Sequence, residues 1–233
     1  MFDTIRSDVS AARSRDPAVR SGFETALLYP GLHALWGYRI GRWLWQRDHR
    51  FAARVVSALT QWLTGVDIHP GARIGPGLFI DHAAGVVIGE TTEIGRDVTI
   101  YQGVTLGGTS LEQGKRHPTI GDRVTIGAGA KVLGPITVGE NSRIGANAVV
   151  VHPVPPDSVV VGVPGQIITR AHPSQAPEMP DLDNSRVPDV IGLSLRSLLT
   201  RVDRLEAKVD GRTTPPEAPS TPPGVWSEAD FAI

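Results

Sequence analysis

The sequence predicts a mainly β protein that is built around a parallel β-helix and flanked by helical segments. Three features of residues 66–163 support this. An apolar marker returns every sixth position, a glycine usually follows it, and the residue four positions after it is small or apolar. Because helices repeat near 3.6 residues and strands at 2, a period of six indicates short strands joined by turns, three to a coil. An antiparallel sandwich would instead show alternation with turns about every 8–12 residues. The thirteen markers are Ile68, Ile74, Ile80, Ile88, Ile94, Ile100, Leu106, Ile120, Ile126, Val132, Val138, Ile144 and Val150.

Residues 1–65 lack this rhythm and are predicted to form a helical cap over one end of the β-helix. Apolar residues between positions 2 and 12 share one face of a first helix, which ends at Asp16 because the residue before a proline avoids the helical region. Two further helices are predicted over about residues 32–46 and 51–63. Four tryptophans of this segment are interpreted as core between helices and coils rather than a ligand pocket. They are Trp36, Trp43, Trp45 and Trp62.

The chain beyond the β-helix domain (66–170) divides into three predicted segments. Residues 171–187 are rich in Pro, Asp and Ser and indicate a linker. In residues 188–210 apolar residues recur at intervals of three or four positions, which predicts an amphipathic helix. This helix either joins subunits or lies on the β-helix, and the pattern does not choose between them. Residues 211–233 are predicted to be a flexible Pro-rich tail.

Composition excludes several functional classes. The 233 residues carry a formal net charge of −1, which argues against a nucleic-acid surface. No run approaches the roughly 18 apolar residues of a membrane span, and the first residues lack the apolar core of a signal peptide. Without cysteine, a disulfide framework or a thiolate nucleophile is impossible. We expect a cytoplasmic protein without nucleic-acid or membrane partners.

Chemistry is expected where the hexad rhythm breaks. Two residues are inserted near His82, and a longer excursion covers residues 107–119. Counting one coil places Asp67 near the corner that holds His82, and a carboxylate beside an imidazole favours a general base. The excursion, which carries His117, leaves from a corner one face away. The distance between the two corners is roughly 20 Å at most. In a ring of three subunits the excursion would cover the His82 corner of a neighbour, which predicts a shared active site with both histidines.

Several motifs together resemble one family. They are RDPAV and LHALWGYRIGRWLW near the N-terminus, then GVDIHPGARIG, IDHAAGVVIGET, YQGVTLGGT, KRHPTIGDRVTIGAGAKVLG and VVGVPGQI. Over about residues 10–170 the chain resembles the serine O-acetyltransferases of the hexapeptide-repeat acyltransferase superfamily. The hexads are common to many acyltransferases, whereas the combination of DH, KRHP and RDPA is specific to the serine enzymes.

The resemblance implies a left-handed parallel β-helix and transfer of acetyl from acetyl-CoA to the hydroxyl of L-serine, a step of cysteine biosynthesis. His82 would then be the general base, with Asp67 as its orienting partner and His117 assisting in the same pocket. Charged side chains would hold the substrate: two for its amino group and one for its carboxylate. These are Asp16 and Asp81 for the amino group and Arg116 for the carboxylate.

Acetyl-CoA is expected along a groove between coils of adjacent subunits. Backbone N–H groups near Gly107, Gly108 or Ala128 are candidate donors to the tetrahedral oxyanion. Small residues along the groove leave room for the pantetheine arm, and basic residues meet the phosphates. The small residues are Ala128, Gly129 and Ala146, and the basic residues are Lys131 and Arg170.

Partners follow from the same resemblance. Longer members carry an additional N-terminal helical region that joins two trimers, so this chain is expected to form a homotrimer. Many members also end in a short acidic tail with a final isoleucine that enters the active site of O-acetylserine sulfhydrylase. The chain ends in such a peptide, and its expected contact residues are Asp230, Phe231, Ala232 and Ile233.

Three alternatives stay open. The acceptor could be another hydroxyl compound such as a sugar, or the β-helix could be a scaffold without catalysis. A zinc-dependent hydratase of the γ-carbonic-anhydrase kind shares this fold and binds its metal through three histidines. Asp122 stands where the second histidine of a pair with His117 would be, and His69 and His152 lack paired spacing. No metal is therefore expected.

Overall fold

The computed structural model of the protein describes residues 2–169 and 190–209, and a parallel β-helix forms its centre. Each of its first thirteen strands contains one hexad marker, as predicted. The strands are β1 (Asp67–Ile68), β2 (Arg73–Ile74), β3 (Phe79–Ile80), β4 (Val87–Ile88), β5 (Glu93–Ile94), β6 (Thr99–Ile100), β7 (Thr105–Gly107), β8 (Thr119–Ile120), β9 (Thr125–Ile126), β10 (Lys131–Leu133), β11 (Thr137–Val138), β12 (Arg143–Ile144), β13 (Val149–Val150), β14 (Ser158–Val161) and β15 (Gln166–Thr169).

The strands stack into three sheets that form the faces of a prism. The first face is β1-β4-β7-β10-β13, the second is β11-β8-β5-β2, and the third is β15-β14-β12-β9-β6-β3. The register records both breaks in the rhythm. Regular neighbours, such as Val87 and Thr105, are 18 residues apart. Asp67 and Val87 are 20 apart, and Thr105 and Lys131 are 26 apart. The first break thus adds two residues to its coil, and the second adds eight.

The markers and the residues four positions after them fill the inside of the prism. Ile88, Leu106, Ile126 and Val132 expose at most 1% of their surface. Short strands that cannot stand alone are stabilised by this continuous apolar column, because stacking removes apolar area from water. The second group is equally enclosed, with no exposed surface at any member: Ala72, Val98, Val104, Val124, Ala130 and Ala148.

The last coil closes with a change of strand direction. Val154 bridges to Val138 on the second face, and β14 pairs in parallel with β12 on the third. β15 then turns back and pairs antiparallel with β14. The third sheet therefore ends in a strand of opposite direction.

Residues 2–64 form four helices, where the sequence predicted three. They are α1 (Phe2–Arg15), α2 (Gly22–Leu28), α3 (Pro30–Trp45) and α4 (Arg50–Thr64). The missed helix, α2, is capped by Ser21, whose hydroxyl accepts a hydrogen bond from Glu24 N–H at 3.1 Å. A serine followed three residues later by glutamate is the sequence signal that could have identified it.

Two largely buried arginines join α1 and α3 to the β-helix. Asp8, which is fully buried, accepts hydrogen bonds from Gly77 N–H at 3.0 Å and from Arg39 at 3.1 Å. Arg39 also donates to the carbonyl of Ile74 at 2.9 Å. Arg15, at the end of α1, donates to two further carbonyls of the first two coils. The helical cap is thus held to the backbone of the β-helix by ionic and hydrogen-bonding contacts.

The tryptophan prediction was wrong for two of the four residues. Trp43 is 47% exposed and Trp62 is 82% exposed. The interface of α3 instead uses Leu32, Leu35 and Tyr38, which are at most 3% exposed. The contact between α3 and the β-helix, which the sequence analysis assigned to tryptophans, is therefore made by leucine and tyrosine. Of the other two, Trp36 packs against the cluster around Phe79, and Trp45 meets His69 edge-on with ring centroids 5.1 Å apart.

In a fifth helix, α5 (Val190–Val209), exposed apolar side chains recur at intervals of three or four residues. Leu195, Leu198, Val202 and Leu205 are 47–56% exposed, so this apolar face is not buried against the described part of the chain. Joining subunits and lying on the β-helix both stay predictions for this helix. Among the described helices, none is long and apolar enough to cross a membrane. The predicted linker, Arg170 and the tail lie outside the described residues.

Candidate active site

The first break in the rhythm forms a tight turn, here called the histidine turn (residues 81–85), between the third and first faces. Ala83 N–H donates to the Asp81 carbonyl at 2.6 Å, and Ala84 N–H donates to the His82 carbonyl at 2.7 Å. His82 (φ 55°) and Ala83 (φ 60°) have left-handed backbone angles, which are costly for non-glycine residues and concentrate at functional sites. Ala83 is fully buried and His82 is exposed. The turn therefore presents the imidazole to solvent.

Two carboxylates from distant parts of the chain lie beside this turn. Asp81 follows β3 and accepts a hydrogen bond from His82 N–H through Oδ1 at 2.9 Å. Asp16 directly follows α1, and its Oδ2 accepts a hydrogen bond from the Tyr29 hydroxyl. Burial raises the pKa of Asp81, the charge of His82 lowers it, and the charge of Asp16 raises it. The two carboxylates are thus close enough to influence each other, an arrangement that suits a cationic ligand.

Two tyrosines accompany the carboxylates: Tyr29 donates to Asp16, and Tyr101 lies within reach of the charge of Asp81. Burial, the hydrogen bond to Asp16 and the nearby negative charges raise the pKa of Tyr29 to about 12. Burial also raises the pKa of Tyr101, and the charge of Asp81 adds to that rise while Arg143 opposes it. Both phenols are therefore neutral near pH 7 and able to donate hydrogen bonds.

Asp67 occupies the position that the hexad count predicted. It begins β1 and pairs with Val87, and its N–H donates to the Val86 carbonyl at 2.9 Å. Across residues 2–169 and 190–209, no hydrogen bond joins its carboxylate to the His82 ring. Burial lowers the pKa of His69, and the charge of Asp67 opposes that effect. The role of Asp67 as the partner of His82 stays a prediction.

The second break forms the excursion loop (residues 108–118), which leaves β7 on the first face and enters β8 on the second. Its outer part is exposed, with Leu111 at the tip fully in solvent. Its returning end is fixed to the preceding coil. Lys115 donates to the Thr91 carbonyl at 2.8 Å, and it pairs with Glu93 at 3.3 Å. The loop therefore combines an anchored base with a protruding tip.

Thr91 holds the histidine of this loop in one orientation. Its hydroxyl accepts hydrogen bonds from Arg116 N–H at 3.0 Å and His117 N–H at 3.1 Å, and it lies 2.9 Å from His117 Nδ1. Thr91 N–H also donates to Nδ1, at 3.3 Å. Because Nδ1 accepts, Nε2 carries the proton of the neutral ring. Burial and the charge of Arg116 lower the pKa of His117, so this neutral, donating form is favoured.

Two glycines make room for the same ring. A Cβ added at Gly89 would lie 2.0 Å from His117 Cδ2, and one added at Gly108 would lie 3.3 Å from Nε2. The imidazole is therefore packed directly on Gly89, whose added Cβ would also lie 2.1 Å from Nε2, and Gly108 lies further from the ring.

Arg116 forms an ion pair with Glu90, whose pKa is lowered by that hydrogen bond. The Arg116 side chain keeps a quarter of its surface exposed, and it also donates to the Gly114 carbonyl at 3.4 Å. Burial lowers the pKa of His69; the charge of Glu90 raises it and the charge of Arg116 lowers it further. These contacts place a fixed guanidinium near the surface, where it can meet a second carboxylate.

Three of the residues predicted to bind acetyl-CoA lie between strands of the third and first faces, and Gly107 and Gly108 lie where the excursion loop leaves β7. Ala128 and Gly129 form the turn before β10, and Ala146 is exposed in the next coil. The expected contact of Lys131 with the CoA phosphates stays a prediction. The Lys131 ammonium donates to the carbonyls of Gly103 and Gly129, the latter at 2.9 Å, so it stabilises the corner.

The structure thus gathers the predicted site residues into two groups rather than one. Asp16, Asp81 and His82 lie at the corner between the third and first faces, and Arg116 and His117 lie at the corner between the first and second. No hydrogen bond or ion pair among the described residues links the groups. Counting hexads predicted that the two breaks lie at different corners, and the structure places them so.

Comparisons with known proteins agree with this geometry. Residues 117–152 match the family model described as bacterial transferase hexapeptide (six repeats). The chain is 58% identical to a serine acetyltransferase of Mycobacterium tuberculosis over the full length of both chains. It is 50% identical to one of Synechococcus elongatus, covering 93% of this chain and 87% of the relative.

This chain belongs to the serine acetyltransferase family. Crystal structures of the family have the same fold: that from Vibrio cholerae superposes with a TM-score of 0.73 at 46% identity, covering 76% of this chain and 68% of the other. The serine acetyltransferase of Brucella abortus, solved in complex with coenzyme A, gives 0.71 at 42% identity, with 73% and 68% covered. The left-handed parallel β-helix with its flanking helices is therefore confirmed.

Several residues that contact the two groups were not singled out from the sequence. Tyr29 and Tyr101 were missed because each lies far in sequence from the aspartate that it accompanies. Glu90 and Thr91 were missed because each contacts a loop residue 26 positions later in the sequence. Continuing the hexad count across the loop would have identified this last contact, since β5 pairs with β8.

Proposed function

We propose that this protein transfers the acetyl group of acetyl-CoA to the hydroxyl of L-serine, giving O-acetyl-L-serine for cysteine biosynthesis. The observation that carries the proposal is the pair of carboxylates, Asp16 and Asp81, beside the exposed His82. Such a pair suits an ammonium group, and the imidazole next to it suits a hydroxyl that must lose its proton. The high identity to serine acetyltransferases over the whole chain supports the same reaction.

In this mechanism His82 is the general base. It removes the hydroxyl proton as the serine oxygen attacks the thioester carbonyl, and the resulting tetrahedral oxyanion collapses by expelling the CoA thiolate. The proton on His82 then passes to that sulfur. Asp67 is proposed to orient the imidazole, and backbone N–H groups near Gly107, Gly108 or Ala128 to donate to the oxyanion. Positioned proton transfer of this kind typically contributes about 10²–10⁴-fold to the rate.

Substrate recognition uses both groups of residues. Asp16 and Asp81 bind the amino group, while Arg116 binds the carboxylate through guanidinium donors that Glu90 leaves available. His117 assists as a neutral donor through Nε2. An acceptor with both an amino and a carboxylate group, such as serine, fits this arrangement better than a sugar does.

Because these two groups lie at different corners, we infer that the active site is shared between subunits of a cytoplasmic homotrimer. The exposed tip of the excursion loop, with Leu111 fully in solvent, supports a contact with a neighbouring chain. In a three-fold ring each excursion loop would bring Arg116 and His117 to the histidine turn of the next subunit.

Two further contacts are part of the proposal. The pantetheine arm of acetyl-CoA would lie along the corner that contains Ala128, Gly129 and Ala146, with Lys131 and Arg170 near the phosphates. O-acetylserine sulfhydrylase is proposed to bind the C-terminal peptide. The expected contact residues of this chain are Asp230, Phe231, Ala232 and Ile233, of which the last three have apolar side chains.

The test is CoA release from acetyl-CoA in the presence of L-serine. We expect wild-type protein to release CoA only with serine and His82→Ala to lower kcat by about 10²–10⁴-fold. His49→Ala is the matched control, because His49 is exposed at the start of α4, away from the histidine turn. Absence of serine-dependent release from wild type would refute the function, whereas full activity of His82→Ala would refute only the assignment of the base.

A further inference from the structure

The Asp16 carboxylate is held from two sides by its own segment of chain. Its Oδ1 accepts a hydrogen bond from Ala18 N–H at 2.7 Å, and its Oδ2 accepts one from the Tyr29 hydroxyl. Its own N–H donates to the Ala12 carbonyl at 3.1 Å, in continuation of α1. Both carboxylate oxygens therefore have a donor before any ligand binds.

Arg15, the residue before Asp16, fixes the end of α1 on the β-helix. Its guanidinium donates to the carbonyls of Gly77 and Val98, both at 3.1 Å, and to the Thr99 hydroxyl at 3.3 Å. It also pairs with Asp97 at 3.2 Å, although only 7% of the Arg15 side chain is exposed. These contacts to two successive coils fix the point at which the chain leaves α1. They therefore also fix the position of the Asp16 backbone.

Tyr29 is equally constrained, because it separates α2 from α3. Its N–H donates to the Thr25 carbonyl at 3.3 Å, and its carbonyl accepts from Leu32 N–H at 3.1 Å and His33 N–H at 3.2 Å. The ring packs against a cluster that includes Phe79 at the start of β3. The phenol therefore reaches Asp16 from a fixed backbone.

We propose that Tyr29 is a positioning residue that, together with Arg15, holds the Asp16 carboxylate beside Asp81 so that the pair binds the amino group of the acceptor. The inference rests on the proposed function. Two neighbouring carboxylates repel each other, and an unrestrained Asp16 would turn toward solvent. The Tyr29 hydroxyl and Ala18 N–H oppose that movement, because a hydrogen bond to a charged acceptor is about twice as strong as a neutral one.

The direct test is Tyr29→Phe, which keeps the ring and removes only the hydroxyl. We expect the KM for L-serine to rise about tenfold, equivalent to about 1.4 kcal/mol, with kcat and the KM for acetyl-CoA changed less than about twofold. Tyr38→Phe is the matched control. Its buried hydroxyl donates to the Ala72 carbonyl at 2.7 Å within the core, so its loss should lower stability without affecting the KM for serine.

A double-mutant cycle separates positioning from a general structural effect. In an Asp16→Asn background, Tyr29→Phe should cost little further affinity for serine, because the group it positions has lost its charge. Binding of 3-hydroxypropionate, which is serine without its amino group, should be the same in wild type and Tyr29→Phe. Equal losses for both ligands, or equal rises in both KM values, would overturn the proposal.

The two hypotheses fail differently. If wild type acetylates serine and Tyr29→Phe has an unchanged KM for it, the positioning role alone is refuted. If wild type neither binds nor acetylates serine, the proposed function fails and this inference fails with it.

Discussion

Asp81 is the residue at which solution pH should act most directly on substrate binding. Burial raises its pKa above the ordinary 3.8, and Asp16 adds to this, while His82 opposes it. Tyr29 and Tyr101 also lie close by, and both remain protonated over the range of interest. A cationic amino group binds the ionised carboxylate, so protonation of Asp81 competes with substrate.

Serine affinity should therefore fall as pH is lowered through the raised pKa of Asp81, beginning above the pH at which an ordinary aspartate protonates. The measurement is calorimetric binding of L-serine to His82→Ala, a variant that lacks the imidazole. Asp81→Asn in the same background should bind more weakly and without this pH dependence. An affinity that stays constant down to pH values near 4 would contradict the prediction.

Single residues of the site were only partly predictable. His82, Arg116 and His117 stand in breaks of a regular pattern, so their positions are visible in the sequence. The contact between Asp16 and Tyr29 depends on how α1 and the junction of α2 with α3 pack together. No sequence spacing encodes that packing, because both residues lie in irregular connections between helices.

At the scale of elements, the docking of α1 depends on a buried ion pair. Asp8 is fully buried, and Arg39 retains 12% exposure of its side chain. Replacing Asp8 leaves the Arg39 guanidinium with a buried charge and removes the acceptor of Gly77 N–H. Breaking a buried pair from one side typically costs about 3–5 kcal/mol.

We expect Asp8→Ala to lower the free energy of unfolding by roughly 3 kcal/mol or more, measured by denaturant titration at fixed protein concentration. Asp48→Asn provides the comparison, since it removes the charge of the exposed Asp48–Arg50 pair, which contributes at most about 1 kcal/mol, and asparagine tolerates the left-handed φ of 62° at this position. Similar losses for the two variants would show that the Asp8 pair is not a principal anchor of α1.

The strands were predictable and the helices less so, for a physical reason. Each hexad has the same pattern, in which one apolar marker is buried inside the prism. Because the pattern occurs thirteen times, the copies support one another as evidence for the strands. The cap has no repeat, and a short helix such as α2 depends on a single capping interaction at Ser21. The exposed Trp62 likewise shows that a large apolar side chain does not by itself reveal which side of a helix is buried.

For the whole molecule, the shared-site hypothesis predicts complementation between two inactive chains. When His82→Ala and Arg116→Ala chains are mixed as equal partners and allowed to exchange, each mixed trimer should contain one intact site. Random assembly then restores about a quarter of the wild-type activity. Serine-dependent CoA release after proven subunit exchange is the measurement. No recovery would place the complete site within one chain.

The reversed strand β15 has a consequence for how the protein associates with itself. A parallel solenoid tends to expose unpaired backbone groups at its ends, where a second solenoid could add a coil and begin a filament. On the third face that edge is occupied by a strand of opposite direction, and at the other end α3 and α4 lie against β1. Growth along the axis is therefore opposed at both ends, which leaves the sides of the prism as the surfaces for assembly.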